Sequence, residues 1–246
     1  MKVRVSTFLD QYCIITYCNE RHVHYQNNLF VKCYLEYMKM KKISLPLLGL
    51  FFTVSVQAAT FTDGKEYISL EKPVASAPAA LKFFSFYCPS CYQYDEVLEV
   101  TDNVKKALPT DVKLTEYHVD FLGPLGPEMT HAWSVAMLLN VEDKVKPLLF
   151  DAVQKKQTIK TADDIRNVFI RAGVSASDYD AAWNSFAVKS LTAKQQELAK
   201  AVDLKGVPAI FIKGKYMINP KGLKSDNVNA FVQNYADTVR FLFSRP

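Results

Sequence analysis

No basic stripe runs through this chain of 246 residues, so nothing in it points to nucleic acid, and no acidic run suggests a cation-binding tail. There are no internal repeats and no low-complexity linker, which predicts parts that pack together. The apolar run at residues 43–56 is only 14 residues long, too short to span a bilayer comfortably. Histidine and cysteine are scarce, at four and five residues. Beyond residue 58 only His118, His131, Cys88 and Cys91 remain, on separate predicted elements. A four-ligand zinc site is poorly served by that set, and neither a metal nor any other cofactor is expected.

What the chain does have begins with a leader. Met38-Lys39-Met40-Lys41-Lys42 is a basic segment ahead of the apolar run, and Val56-Gln57-Ala58 offers small residues to a signal peptidase. Residues 38–58 therefore read as a signal peptide cleaved after Ala58, with a retained anchor as the alternative. Residues 1–37 contain no Gly, Ala or Pro and read as an upstream extension, the true start being expected at Met38 or Met40. Removing residues 1–58 leaves 188, with 23 Lys and Arg against 22 Asp and Glu. The net charge falls from +5 to +1, so the basic isoelectric point belongs mostly to the discarded end. Three of the five cysteines leave with it.

The remaining two form Cys88-Pro89-Ser90-Cys91, after an apolar strand at residues 79–87 and at the start of a helix expected over residues 92–108. A thiolate there faces unpaired N–H groups and the positive end of the helix dipole, which lower its pKa. The second cysteine lies one turn on, near enough to close a ring or release a mixed disulfide. Pro89 fits the first turn, where a missing N–H costs nothing. Zinc knuckles and structural disulfides share this spacing. An exported chain whose only cysteines are so spaced reads best as one that handles other proteins' disulfides.

A second strand is expected at residues 112–119, completing a β-α-β unit with the dithiol at the carboxyl end of its first strand. In the helix between them Val97, Val100, Val104 and Leu108 mark an apolar face. Asp95, Glu96 and Glu99 lie early and Lys105 and Lys106 late, as the dipole favours. Residues 209–212 and 216–218 flank Lys213-Gly214-Lys215 as a hairpin. A last helix is expected from about residue 225 to 243. Between the halves everything reads helical: residues 128–140, then 142–156 with Pro147 a possible break. Thr161-Ala162-Asp163-Asp164 is a capping box for residues 165–172, with Gly173 as the stop. One long helix then runs from about residue 177 towards Gly206. The fold class is α/β, a frame at residues 59–120 and 196–246 interrupted by an all-helical domain at 121–195.

With Cys88-Pro89-Ser90-Cys91 in a β-α-β unit, Gly206-Val207-Pro208 before the hairpin and a helical insertion, the chain resembles the DsbA family, the thioredoxin-fold thiol:disulfide oxidoreductases of the bacterial periplasm. Phe83-Phe84-Ser85-Phe86, Asp102-Asn103-Val104-Lys105-Lys106 and Tyr179-Asp180-Ala181-Ala182-Trp183-Asn184-Ser185-Phe186 also read as family sequence. The resemblance implies that Cys88 is the exposed attacking cysteine and Cys91 the buried resolving one. It implies that Pro208 is a cis-proline facing the disulfide and that Val207 offers backbone groups to substrate peptide. The loop at 219–223 would border an apolar groove where unfolded substrates and a membrane reoxidase dock. Trp133 and Trp183 are expected in core packing and His118 as a packed histidine, while His131 is given to the surface or groove rim. The implied partners are newly exported cysteine-containing proteins and an inner-membrane reoxidase of the DsbB type, and the implied state is a periplasmic monomer.

Three positions depart from the family pattern. Ser90 stands where the best-known oxidants carry His, which predicts a less acidified Cys88 and a milder oxidant. Lys82 and Glu116 exchange the acid and the lysine that the family often has, which suggests a touching cross-strand pair beneath Cys91 that helps move its proton; a half-solvated pair of little effect is the alternative. A disulfide-donating oxidase is the leading reading. An isomerase or reductase competes, and a peptide-binding chaperone with a structural disulfide is weaker.

Overall fold

The computed structural model describes residues 61–245; the expected signal peptide and upstream extension lie outside the described residues. Strand β2 (Ala80–Phe84) is buried at every position and sits inside a five-stranded sheet. It pairs in parallel with β3 (Leu114–His118) and antiparallel with β4 (Ala209–Ile212), which continues to β5 (Tyr216–Ile218) and the edge strand β1 (Tyr67–Ser69). A strand apolar at every position but Lys82 suits this place because both of its faces are covered. Lys213 and Gly214 both take positive φ, 55° and 59°, the backbone of the tight turn that joins β4 to β5.

The chain between β2 and β3 forms α1 (Pro89–Tyr92), a π-helical turn at Gln93–Val97 and α2 (Val100–Ala107). On one sheet face α2 and the last helix, α8 (Val228–Ser244), pack Val100, Val104, Tyr235 and Val239 against Ala80, Ile210 and Ile212. On the other face Leu198 and Val202 cover Leu81, Phe83 and Phe211. The insertion comprises α3 (Gly126–Leu139), α4 (Glu142–Phe150) with a π-helical turn at Asp151–Lys155, α5 (Ala162–Arg171), α6 (Ala176–Asn184) and α7 (Phe186–Ala201). Its core of Trp133, Leu149, Phe150, Ile165 and Phe169 takes in Phe84, Phe86 and both cysteines. The fold is thus a thioredoxin-like α/β unit interrupted by helices. The first half of α7 packs in the helical core through Val188, and its second half covers the sheet through Leu198.

Several expectations about elements need correction. The helix after the dithiol is not continuous: Glu99 adopts φ 54°, and α2 starts afresh at Val100. This kink turns Val97 out to 51% exposure, so it does not share the buried face of Val100 and Val104. Pro147 lies inside α4 without ending it. The long helix expected after residue 177 is two helices, because Ser185 takes extended backbone and its hydroxyl accepts the N–H of Val188, capping α7. The capping box holds as read: Thr161 accepts the N–H of Asp164, whose carboxylate accepts the N–H of Thr161.

Candidate active site

Where β2 ends, residues 85–87 carry the chain to Cys88, the N-cap of α1. Its backbone is extended (φ −91°, ψ 113°), which leaves the sulfur over the first turn, where it accepts the N–H of Cys91 at 3.2 Å. Pro89 occupies the first turn. Tyr87 lies against Gly123, where φ is +75° and any Cβ would fall about 2.2 Å from the ring, so the Tyr87 ring and a side chain at residue 123 exclude one another. From far along the chain, Val207 brings its carbonyl oxygen to 3.4 Å from the Cys88 sulfur, and the Val207–Pro208 peptide is cis.

Both cysteines are free thiols. Cys88 keeps 7% of its surface and Cys91 none. The exposed attacking cysteine that the resemblance implied is therefore largely covered, since the Val207 loop closes over one side of its sulfur. Their acidities diverge. A hydrogen bond from the Cys91 thiol, opposed by burial and helped by the amides of Cys91 and Ser90 and by the Lys82 charge, lowers Cys88 from 9.0 to about 7. Burial, then the hydrogen bond and charge of Cys88, pushes the Cys91 thiol far above the usual thiol range. Ser90 has an exposed side chain and contributes only its backbone to this balance.

Lys82 and Glu116 stand opposite each other in the β2–β3 register, 3.2 Å apart. They are not a half-solvated pair: the Lys82 side chain is fully buried and that of Glu116 keeps 9% exposure. Two further residues, which sequence reasoning missed as members, join them. Asp95 pairs with Lys82, and Lys146 pairs with Glu116 and stands 3.3 Å from Asp95. Thr101 accepts from Lys82 at 2.8 Å, and Lys105 reaches Glu116 at 3.3 Å from the rim. Burial would raise the Glu116 carboxyl, yet Lys82, Lys146 and Lys105 hold it far below the usual carboxylate range. Asp95 was readable as the residue four on from Cys91, one helical turn along the same face. Lys146 occupies the apolar stripe of α4 that includes Val145, Leu149 and Phe150, a spacing that marks an inward-facing lysine.

His118 is packed, as expected. Its Nε2 accepts the N–H of Phe86 at 3.1 Å, which leaves Nδ1–H to donate to Thr130, 2.9 Å away. Burial lowers it to about 3, so the ring is neutral and braces the strand end two residues before Cys88. Trp133 is buried and donates to the Glu116 carbonyl at 2.7 Å. His131 is half-buried rather than fully at the surface. It is wedged between helices, with its ring against Trp183 and Nε2 2.9 Å from the Trp183 carbonyl oxygen. A groove of about 580 Å³ reaches Pro208 and is lined also by Leu204, Met217, Asn219 and Pro220; neither cysteine lines it.

Comparison with known proteins resolves the family. Residues 81–236 match the model of the DSBA-like thioredoxin domain. The chain belongs to the DsbA family. The thiol:disulfide interchange protein DsbA of Salmonella typhimurium is 59% identical over 206 residues, covering 84% of this chain and all of that protein. Its counterpart in Escherichia coli K12 is 59% identical over 204 residues, 82% of this chain and 98% of that one. Among solved structures, Proteus mirabilis DsbA with a non-covalently bound peptide, PWATCDS, is similar at TM-score 0.75 and 49% identity, covering 76% of this chain and all of that one. As a DsbA-family member the protein is a thiol:disulfide oxidoreductase, an enzyme of dithiol–disulfide exchange.

Proposed function

We propose that the protein donates a Cys88–Cys91 disulfide to newly exported proteins in the periplasm and is reoxidised there by an inner-membrane partner of the DsbB type. Residues 38–58 serve as its export signal, and residues 1–37 lie outside the exported chain. In the forward reaction a substrate thiolate attacks the Cys88 sulfur. The Cys88–Cys91 bond breaks, and Cys91 leaves as a thiolate that takes up a proton. The substrate's second thiolate then attacks its own sulfur in the mixed disulfide and expels Cys88 as a thiolate. Two substrate thiols are oxidised to one disulfide, and the protein's disulfide is reduced to a dithiol.

The observation that carries this reading is the divergence of the two thiols. Cys88, held at about 7, is the better leaving group in the release step, and stabilising its thiolate favours the reduced protein, which makes the disulfide oxidising. Cys91, fully buried, stays out of a substrate's reach. Val207 borders the sulfur, with the cis-linked Pro208 next to it in the chain, and these two are the proposed substrate-binding residues, the Val207 backbone as strand partner for an extended substrate segment; the peptide on the Proteus mirabilis protein supports a peptide ligand for this one. Lys82 and Glu116 are the proposed tuning pair, with Pro89 and Ser90 setting the first turn. The test is the reduction potential of the exported protein in glutathione buffers. A value well above the glutathione couple is expected. A value near that of thioredoxin would move an isomerase or reductase role ahead, the role that Ser90, without an imidazolium, would favour.

A further inference from the structure

Two carboxylates and two ammoniums alternate in the buried cluster. Asp95 and Glu116 each face both Lys82 and Lys146. Three of the four come from the thioredoxin frame: β2, the turn after α1, and β3. The fourth, Lys146, comes from α4 of the insertion, with its side chain at 10% exposure. Both ammoniums stand over the ring of Phe84, at 5.4 and 5.3 Å, and Phe84 packs in the same core as the two cysteines.

The four charges sum to zero, and deleting Lys146 would make the sum negative. Glu116 would stay ionised, because Lys82 and Lys105 still flank it at 3.2 and 3.3 Å. Asp95 would keep its contact with Lys82. Of the other charged groups around the cluster, Glu96, Asp102, Asp143 and Glu142 are acidic, and Lys155, whose charge reaches Glu96, pairs with neither Asp95 nor Glu116. The charge of Lys82 is already felt at both sulfurs, so a neighbour across the same two carboxylates acts on them with the same sign.

We propose that Lys146 is a positioning residue through which the helical insertion sets the redox poise of the dithiol: its ammonium neutralises the carboxylates under the active-site helix and so keeps the Cys88 thiolate favoured. This rests on the disulfide-exchange reading above, but it concerns the sign and source of the field, not the direction of exchange in the cell. The charge change is the active variable, so variants of opposite charge must move the dithiol in opposite directions. A unit change in a cluster of this kind corresponds to several-fold in an equilibrium constant at interior dielectric; about fivefold, or ~20 mV for a two-electron couple, is expected.

The experiment compares the exported wild-type protein with Lys146→Met, Glu116→Gln and the double variant, each measured for its glutathione equilibrium and for the Cys88 titration by thiolate absorbance. Lys146→Met is expected to raise the Cys88 pKa and make the disulfide about fivefold less oxidising. Glu116→Gln is expected to do the reverse, and the double variant, again neutral, to return close to wild type. Lys146→Arg keeps the charge and should hold the wild-type potential. Should Lys146→Met fold poorly, Glu116→Gln and Lys146→Arg still decide the sign. Unchanged values in Lys146→Met, or shifts of the same sign in both single variants, would overturn the proposal. The proposed oxidase role fails separately, if the wild-type potential is low whatever the variants do.

Discussion

The divergence of the two thiols makes the stability of the reduced protein depend on pH in an unusual way. In the unfolded chain both cysteines titrate near the ordinary thiol value, whereas in the fold Cys88 titrates at about 7 and Cys91 stays protonated far into alkali. Cys88 is a group whose folded pKa is depressed. Its contribution is fully present above the unfolded value and is lost as pH falls through about 7. Between about pH 7 and 9 the unfolded chain therefore holds one more thiol proton than the fold. Stability rises there at roughly 1.4 kcal/mol per pH unit. Two pH units give roughly 2.7 kcal/mol, and solvent on the open side of the sulfur brings the expected gain to about 2 kcal/mol. Above about pH 9 the sign reverses, because unfolding now frees Cys91 to ionise; the reduced protein should be most stable near the crossover. Urea unfolding under reductant at half-unit pH steps measures this, with Cys88→Ser/Cys91→Ala as the reference whose subtraction cancels every other titrating group. A difference curve that is flat from pH 7 to 9, or that falls there, would refute the assignment of the acidic thiol to Cys88.

Ser90→His adds an imidazolium beside the same sulfur and should raise the reduction potential; an unchanged or lower value in glutathione buffers would count against thiolate stabilisation as the source of oxidising power. His118 is neutral in the fold and charged in the unfolded chain below about pH 6.5, so it should cost the fold roughly 1.4 kcal/mol per pH unit as pH falls from there to about 3. His118→Asn should flatten that part of the pH–stability curve, read by thermal unfolding, while lowering stability at pH 7 through the lost bonds to Phe86 and Thr130. Thr161→Ala removes one half of the capping box and should cost about 1 kcal/mol in denaturant unfolding with no change in reduction potential, since the cap sits at an exposed helix end.

Much of the site was readable because its signals are local. Cys88 and Cys91 sit three apart at a strand-to-helix turn, so their placement follows from one turn of chain. The β4–β5 hairpin and the Thr161 cap are likewise short-range, and both match the observed elements. Residues 92–108 misled because their apolar and charged spacing suits one straight helix, while burying Asp95 against Lys82 and turning Val97 outward requires the kink at Glu99. Ser185 was a cap hidden within a continuous helical pattern. His131 read as rim because its partners, Trp183 and Thr192, are more than 50 residues away.

By itself the amino-acid sequence determined that a dithiol opens a helix after a buried strand, that the chain beyond residue 58 carries no other cysteine, and that a helical segment interrupts the α/β frame. Those features depend on neighbours within a few residues, where propensity, capping and periodicity act. Only the tertiary structure decided which charges lie under the dithiol, that Val207 meets Cys88, and that His118 holds Phe86. These are meetings of segments from 13 to more than 100 residues apart, brought together by packing, and a buried charge reveals its role only when its partners are in place.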